Sequence, residues 1–292
     1  MPAHPRLIAD CARCGRTSVV LSRDSAPRRQ FVTDISRTSP KKISARRAPI
    51  GLPAGSHIAR NRLLAALAPE DYAVIAPHLE PVPLEVHDVL AEAGEAFTHV
   101  YFPESGAVSI VTFMADGNGV EVGTMGNEGM AGLPAYLEAD ASESRTFCQV
   151  RGGALRLPVG DLLSITATRP NFRRLLNRYT QAYLSLVAQG AACNRLHTIE
   201  QRCARWLLMT HDRTLGAEVL ELKQEFLALM LGVRRIGVTL AAGTLQEAGL
   251  IRYRRGNIRI TDREGLEAAA CECYGAVRKR FDDLLPSPFV GS

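Results

Sequence analysis

Apolar residues change their spacing along this chain of 292 residues, and each spacing predicts a different kind of element. Between positions 82 and 160 they come in short runs: Val82–Val86, Val100–Phe102, Ala107–Phe113, Val120–Met125, Phe147–Val150 and Ala154–Leu157. Turn residues separate the runs, at Glu92–Glu95, Pro103–Gly106, Asp116–Gly119, Gly126–Gly129 and Gly152–Gly153. Many short strands at regular intervals predict a β-sandwich or jelly-roll barrel. Residues 58 to 81 form a helical lead-in, in which Leu63, Leu64, Leu67 and Ile75 would pack on that barrel. Pro69 stands where the first turn of a helix tolerates it.

From 161 to 197 the period lengthens. Phe172, Leu176, Tyr179, Tyr183, Leu186, Gly190, Cys193 and His197 recur at alternating steps of four and three, a heptad seam. One helix over Asn171–Asn194 would run about 36 Å at 1.5 Å per residue. Such a seam buries itself either against a second helix of the same kind or inside its own subunit. Thr198-x-x-Gln201 then carries a capping-box signature for a helix over 198–213, with Cys203, Trp206 and Leu207 on one side.

The stretch Leu222 to Ile260 holds two short one-sided helical patterns. Phe226, Leu227, Met230 and Leu231 make the first; Ile236, Val238, Leu240, Ala241 and Leu245 make the second. Gly232 between them accepts a positive φ without steric cost, and Gly249 stops the second helix. Two helices joined by a short glycine turn make a helix-turn-helix. Leu250–Arg254 and Ile258–Ile260 flank Arg255-Gly256-Asn257 as a hairpin, the wing of a winged helix. A last helix is predicted from Asp262, its cap, through Leu285, with Leu266, Ala269, Ala270, Cys273 and Val277 as its apolar stripe.

Charge sharpens this reading. The net +5 is misleading as a whole, because residues 1–50 alone carry +8 and the remainder sums to −3. Within that mildly acidic body, residues 222–263 hold eight Lys and Arg against three acids. A basic surface confined to a helix-turn-helix and its wing points to nucleic acid. Residues 1–57, rich in Arg, Ser and Pro and without a period, read as a disordered tail. No apolar run of about 18 residues occurs, and the first residues lack the apolar core of a secretory signal. A cytoplasmic protein with no membrane partner is expected.

Leu222–Ile260 resembles the DNA-binding domain of the Crp/Fnr regulators, through Gln224-Glu225, Leu231-Gly232-Val233, Val238, Leu245 and Gly249-Leu250-Ile251. Residues 82–160 resemble the cyclic-nucleotide-binding β-roll of the same family. The resemblance implies an α+β chain: a jelly-roll-like β-roll over 58–169, a dimerisation helix over 170–197, and a winged helix-turn-helix over 198–285. It makes Leu176, Tyr179, Tyr183, Leu186, Gly190 and Cys193 the dimer seam. The implied partners are double-stranded DNA with a palindromic operator, a second copy of the chain, and RNA polymerase. Base and phosphate contacts are expected from Arg234, Arg235 and Thr239 on the second helix, from Arg252, Arg254 and Arg255 on the wing, and from Lys223. In the cyclic-AMP receptor protein the reading positions are Arg, Glu and Arg; here they are Arg235, Ile236 and Leu240, so the operator should differ.

The same resemblance places an effector pocket at Gly132, Leu133, Arg145 and Thr146. The family's cyclic-nucleotide binders follow that Gly with a Glu that accepts the ribose 2′-hydroxyl, where this chain has Leu133. Arg145-Thr146 keeps the phosphate-neutralising half. The expectation is a pocket that takes another small-molecule effector, or none, with Arg145 either an anion ligand or a structural residue.

Other chemistries find little footing. His78, His87 and His99 are scattered, and no P-loop, nucleophile elbow or HExxH occurs, so no enzyme is expected. Seven cysteines, an odd number in a chain of this size, argue against a disulfide framework. Cys11-x-x-Cys14 falls short of a complete cluster set, since the iron–sulfur sensors of the Fnr branch carry three N-terminal cysteines. A redox- or metal-responsive regulator using those N-terminal cysteines, with Cys148 as a further ligand, stays open as the alternative. Cys271 and Cys273, two apart on one predicted helix, would point away from each other, while Cys193 and His197 would pack or cap. No metal site and no certain cofactor is expected.

Overall fold

The computed structural model describes residues 59–285. The N-terminal tail and the Cys11/Cys14 pair lie outside the described residues. Two short helices open the chain, α1 (Arg62–Ala65) and α2 (Pro69–Ile75). Asn61 caps α1 by accepting from the backbone N–H groups of Leu63 and Leu64. Leu63, Leu64 and Ile75 are fully buried, as their spacing predicts.

The β-roll is built on β1 (Glu80–Leu84), β2 (Val89–Ala91), β3 (His99–Phe113), β4 (Gly119–Met125) and β5 (Arg145–Pro158). The strands run antiparallel in the order β1-β5-β3-β4, with β2 also on β5. Two expected turns prove to be strand interior. Pro103–Gly106 lies inside β3 and Gly152–Gly153 inside β5, so four predicted strands merge into two long ones. The register between them shifts at Pro103/Ser105, Ser105/Ala107 and Ala107/Val108. These bulges bend the long pair, and Gly152 fits the close approach because it has no Cβ, which would strike the Ser105 carbonyl.

After the one-turn helix α3 (Leu133–Tyr136) and β5 come α4 (Val159–Thr168) and the long helix α5 (Pro170–Leu196). The buried face of α5 turns out to lie within its own subunit. Leu176, Tyr179, Tyr183, Leu186 and Cys193 are all buried by this same chain, and Gly190 is half-buried. The Tyr179 hydroxyl donates to the Met130 carbonyl at 3.0 Å, and its ring meets Phe281 at 6.4 Å. Gly123 and Gly129 leave room for the rings of Tyr183 and Tyr179. The seam expected to pair two subunits therefore anchors the helix within its own subunit, to the β-roll through Met130 and to the C-terminal part of the chain through Phe281 and Cys271. A 4/3 spacing records that a face is buried, not by which chain.

The C-terminal unit comprises α6 (Ile199–Arg213), β6 (Leu220–Glu221), α7 (Gln224–Leu231), α8 (Arg235–Glu247), the hairpin β7 (Ile251–Arg254) and β8 (Asn257–Ile260), then α9 (Arg263–Ala269) and α10 (Cys273–Leu284). Both halves of the Thr198/Gln201 capping box are formed at the start of α6. The single last helix expected from the sequence is broken: Ala270 is extended at ψ 157°, so α9 ends and α10 restarts three residues later. This unit packs directly on the β-roll. Phe226 of α7 meets Phe147 edge-on at 5.9 Å and His87 at 5.5 Å, and one continuous apolar core spans both units. No single helix among the described residues is long and apolar enough to cross a membrane.

Candidate nucleic-acid interface and sensor pocket

Helices α7 and α8 meet at 102° across the break at Gly232. Gly232 sits at φ +62°, the left-handed conformation that lets the α7 cap reverse direction without strain. Val238, Ala241 and Leu245 bury the inner face of α8. Its outer face is open: Arg234, Arg235, Thr239 and the apolar pair Ile236 and Leu240, which are 68% and 65% exposed. Arg234 is the N-cap and supplies no side-chain capping bond, so the first N–H groups of α8 have no partner from it.

The wing follows. Arg255 and Gly256 form a two-residue turn with φ of +51° and +81°, pairing Arg254 with Asn257 in register. Positive φ at both central positions matches the twist of the flanking strands. Ile251 points inward, while Arg252 and Arg254, two apart on β7, share the outward face. Lys223, Arg235 and Arg255 converge on an open cleft of about 360 Å³ between α7, α8 and the wing, with Gln224 and Glu225 on its wall. Glu225 holds Arg235 in an ion pair of 2.8 Å, and Gln224 Oε1 accepts from Arg235 Nε at 3.2 Å and Thr239 Oγ1 at 3.3 Å. All the expected DNA contacts are exposed. Ile236 and Leu240, expected on one apolar face with Val238, Ala241 and Leu245, lie instead on the outer face and are the most exposed apolar side chains of α8.

The expected effector residues are dispersed in role. Gly132 caps α3 at φ +98° and Leu133 is buried behind it. Thr146 is buried in β5. Arg145 is paired with Glu92 at 2.9 Å, and its guanidinium lies 5.6 Å from the centre of the Phe113 ring. The phosphate-neutralising half of the pocket thus faces a carboxylate of the same chain.

Between the two units runs a polar network that the sequence did not reveal. Glu121 of β4 accepts from Trp206 Nε1 at 3.0 Å and from Ser109 Oγ at 2.5 Å. Glu121 keeps part of its surface open, but its carboxylate is enclosed, and burial pushes its pKa up to about 7. Nearby, Arg213 of α6 reaches Glu128 at 2.6 Å and Thr124 Oγ1 at 3.3 Å. Burial opposes the charge on Arg213, but the Glu128 carboxylate outweighs it and holds the pKa above the ordinary value. Removing one partner of such a buried pair costs about 3–5 kcal/mol. An alternating strand makes Glu121 look solvent-facing, and only the packing of α6 over β4 reveals otherwise.

A third feature lies at the end of α5. Cys193, His197, Cys271 and Cys273 come together with all four ligand-type atoms within 4.8 Å of one another. This overturns the reading of Cys271 and Cys273 as divergent helix residues: they straddle the break between α9 and α10, so helical geometry does not separate them.

Two sequence-family models match the chain. The cyclic nucleotide-binding domain matches residues 81–169, and the Crp-like helix-turn-helix domain matches residues 201–269. Together they span more than half of the sequence, in the order and places that the fold shows. The chain belongs to the Crp/Fnr family. Among curated proteins, none matches it by sequence. Solved structures share the Crp/Fnr fold. FixK2 from Bradyrhizobium japonicum is 16% identical with a TM-score of 0.57, over 66% of this chain and 98% of that one. A Crp/Fnr-family regulator from Eubacterium rectale is 19% identical at a TM-score of 0.57, over 71% and 96%. The c-di-GMP-responsive global regulator CLP of Xanthomonas campestris is 17% identical at 0.54, over 66% and 99%. As a Crp/Fnr regulator the chain joins a cyclic-nucleotide-binding-type β-roll to a DNA-binding helix-turn-helix.

Proposed function

We propose that this chain is a homodimeric, sequence-specific DNA-binding transcription regulator whose β-roll responds to something other than cyclic AMP in its usual mode. The observation that carries the reading is the open outer face of α8, with Arg234 and Arg235 at its N-terminal end and wing arginines beside it. Helix α8 enters the major groove from that end. Arg235 is released from Glu225 to a guanine edge or a phosphate, and Arg234, Lys223, Arg252, Arg254 and Arg255 hold the backbone, with Thr239 beside Arg235. Ile236 and Leu240 read thymine methyl groups, the one base feature an apolar side chain recognises.

Pairing of two subunits falls to the outer face of α5. Gln181, Leu184, Ala188, Ala191 and Arg195 follow the same 4/3 spacing as the buried seam, one strip further round, and line the side of α5 turned away from the core. Leu184 is 57% exposed and central to the strip. Two copies joined there carry two α8 helices for a palindrome with half-sites about 34 Å apart. The β-roll reading rests on Leu133 and on the Arg145–Glu92 pair, which leave a cyclic nucleotide neither its ribose acceptor nor an unopposed cation. RNA polymerase is the further partner expected of such a regulator.

Selection of binding sites from random double-stranded DNA tests the proposal. Enrichment of a palindrome whose half-sites contain a guanine and thymines, lost at the guanine in Arg235→Ala, supports it. No enrichment, with or without the small-molecule fraction of a cell lysate, overturns it.

A further inference from the structure

The C-terminal end of α5 contributes Cys193 and, four residues on, the capping residue His197. The break between α9 and α10 contributes Cys271, and the first residue of α10 is Cys273. The Cys193 and Cys271 sulfurs are 3.5 Å apart, and Cys273 Sγ is 3.6 Å from His197 Nδ1. All three cysteines are buried, in a small cluster separate from the main core. Three sulfurs and one imidazole nitrogen at these spacings are the donor set of a tetrahedral Cys₃His site. With Zn–S near 2.3 Å and Zn–N near 2.0 Å, the edges of such a tetrahedron are about 3.5–3.8 Å. The two close pairs already match those edges, and since all four atoms lie within 4.8 Å of one another, side-chain movement of about 1 Å closes the set around an ion.

The surroundings fit the same occupant. His197 presents Nδ1 to the cluster while its Nε2 lies 3.2 Å from the Glu272 carboxylate, the outer contact that orients a ligating histidine. Gln189 Nε2 donates to Cys273 Sγ at 3.0 Å, a bond that stabilises a thiolate. Three thiolates and a divalent ion leave one negative charge. Arg202 and Arg205 stand near enough to influence the Cys193 thiol, and the Nε atoms of both are buried without a hydrogen-bond partner.

We propose that Cys193, His197, Cys271 and Cys273 bind one zinc ion. Binding converts three S–H groups to thiolates and releases three protons, with the imidazole neutral. The ion ties the last turn of α5 to the last helix of the DNA-binding unit, across the joint where α5 hands over to α6 at His197-Thr198. It therefore fixes the angle at which α8 is presented. The metal site stands on its own geometry; its effect on DNA rests on the function proposed above.

The test measures zinc in the full-length protein, purified under reducing conditions, by mass spectrometry of the metal. One zinc per chain is expected, unchanged in Cys11→Ser/Cys14→Ser and lost in Cys193→Ser/Cys271→Ser. Cobalt added to the metal-stripped wild type should give thiolate-to-cobalt charge-transfer bands, a readout that needs no variant to fold. Glu272→Gln, which keeps all four ligands, should weaken zinc affinity about 10- to 100-fold. Absence of zinc together with absence of those cobalt bands would overturn the site. So would loss of zinc in the Cys11/Cys14 variant instead, or a Cys193–Cys271 disulfide that persists in protein isolated under mild reducing conditions. If zinc is present but its removal leaves operator affinity unchanged, the site holds and the clamp on α8 fails.

Discussion

The indole N–H of Trp206 donates to the enclosed carboxylate of Glu121 at 3.0 Å, joining α6 of the DNA-binding unit to β4 of the β-roll. Burial is the largest influence on Glu121 and raises its pKa to about 7, against hydrogen bonds from Ser109 and Trp206 and the charges of Arg213 and Arg205 that favour ionisation. The unfolded chain releases this proton near the usual carboxylate value, while the folded chain keeps it until about pH 7. Between those values the folded state binds more protons, so stability falls as pH rises and then levels off. The loss amounts to on the order of 2 to 3 kcal/mol. Denaturant unfolding from pH 5 to 8 should show this decline, and Glu121→Gln should flatten it. An unchanged slope in the variant would place the titration elsewhere.

Thymine methyl recognition by Ile236 and Leu240 separates from electrostatics by chemistry on the DNA. Replacing operator thymines with uracil removes only the C5 methyl. Deleting one such methyl from beneath an apolar side chain should cost about 0.8 kcal/mol, or roughly fourfold in affinity. Ile236→Ala and Leu240→Ala should abolish the thymine–uracil difference at their own positions. Arg254→Ala should instead weaken all sequences alike and flatten the dependence on salt by about one unit of slope. Titrations on matched operators at several salt concentrations distinguish the two patterns.

The two faces of α5 give opposite mutational signatures. Leu184→Glu places a charge at the centre of the proposed subunit contact while touching none of the subunit's own core. It should yield folded monomers by analytical ultracentrifugation and an operator affinity reduced to that of a single half-site. Tyr179→Ala removes a fully buried ring and its bond to Met130, and should lower unfolding stability by on the order of 3 kcal/mol or more. Monomers from Tyr179→Ala with full stability would return the dimer seam to the buried strip.

Local features of this fold are legible where one residue dictates backbone geometry. Gly232 announces its turn, Thr198 and Gln201 announce a helix start, and Arg255-Gly256 announces the wing. The bend in β3 and β5 is hidden because Gly152-Gly153 serves equally as a turn or as a strand position under a close backbone. The break after Ala269 carries no Gly or Pro, and the apolar stripe from Leu266 to Val277 continues across it at helical spacing. That break is set by what α9 and α10 pack against. The Cys271–Cys273 cluster with Cys193 and His197 is illegible for the same reason: it depends on a backbone departure that only the tertiary structure shows.

Arg145 and Glu92 make the effector question measurable. Their 2.9 Å pair leaves the cation already neutralised, and a phosphate entering the pocket must displace a half-buried carboxylate. Calorimetry should therefore show no micromolar binding of cyclic AMP or cyclic GMP to the wild type. Glu92→Gln keeps the side chain's size but removes its charge, and should strengthen binding of phosphate-bearing ligands at this site. Arg145→Ala added to that variant should abolish the gain, because the anion then has no guanidinium to meet. Micromolar cyclic AMP binding by the wild type that vanishes in Arg145→Ala would mean that the ion pair opens readily and that the usual ligand is retained without its ribose acceptor at position 133.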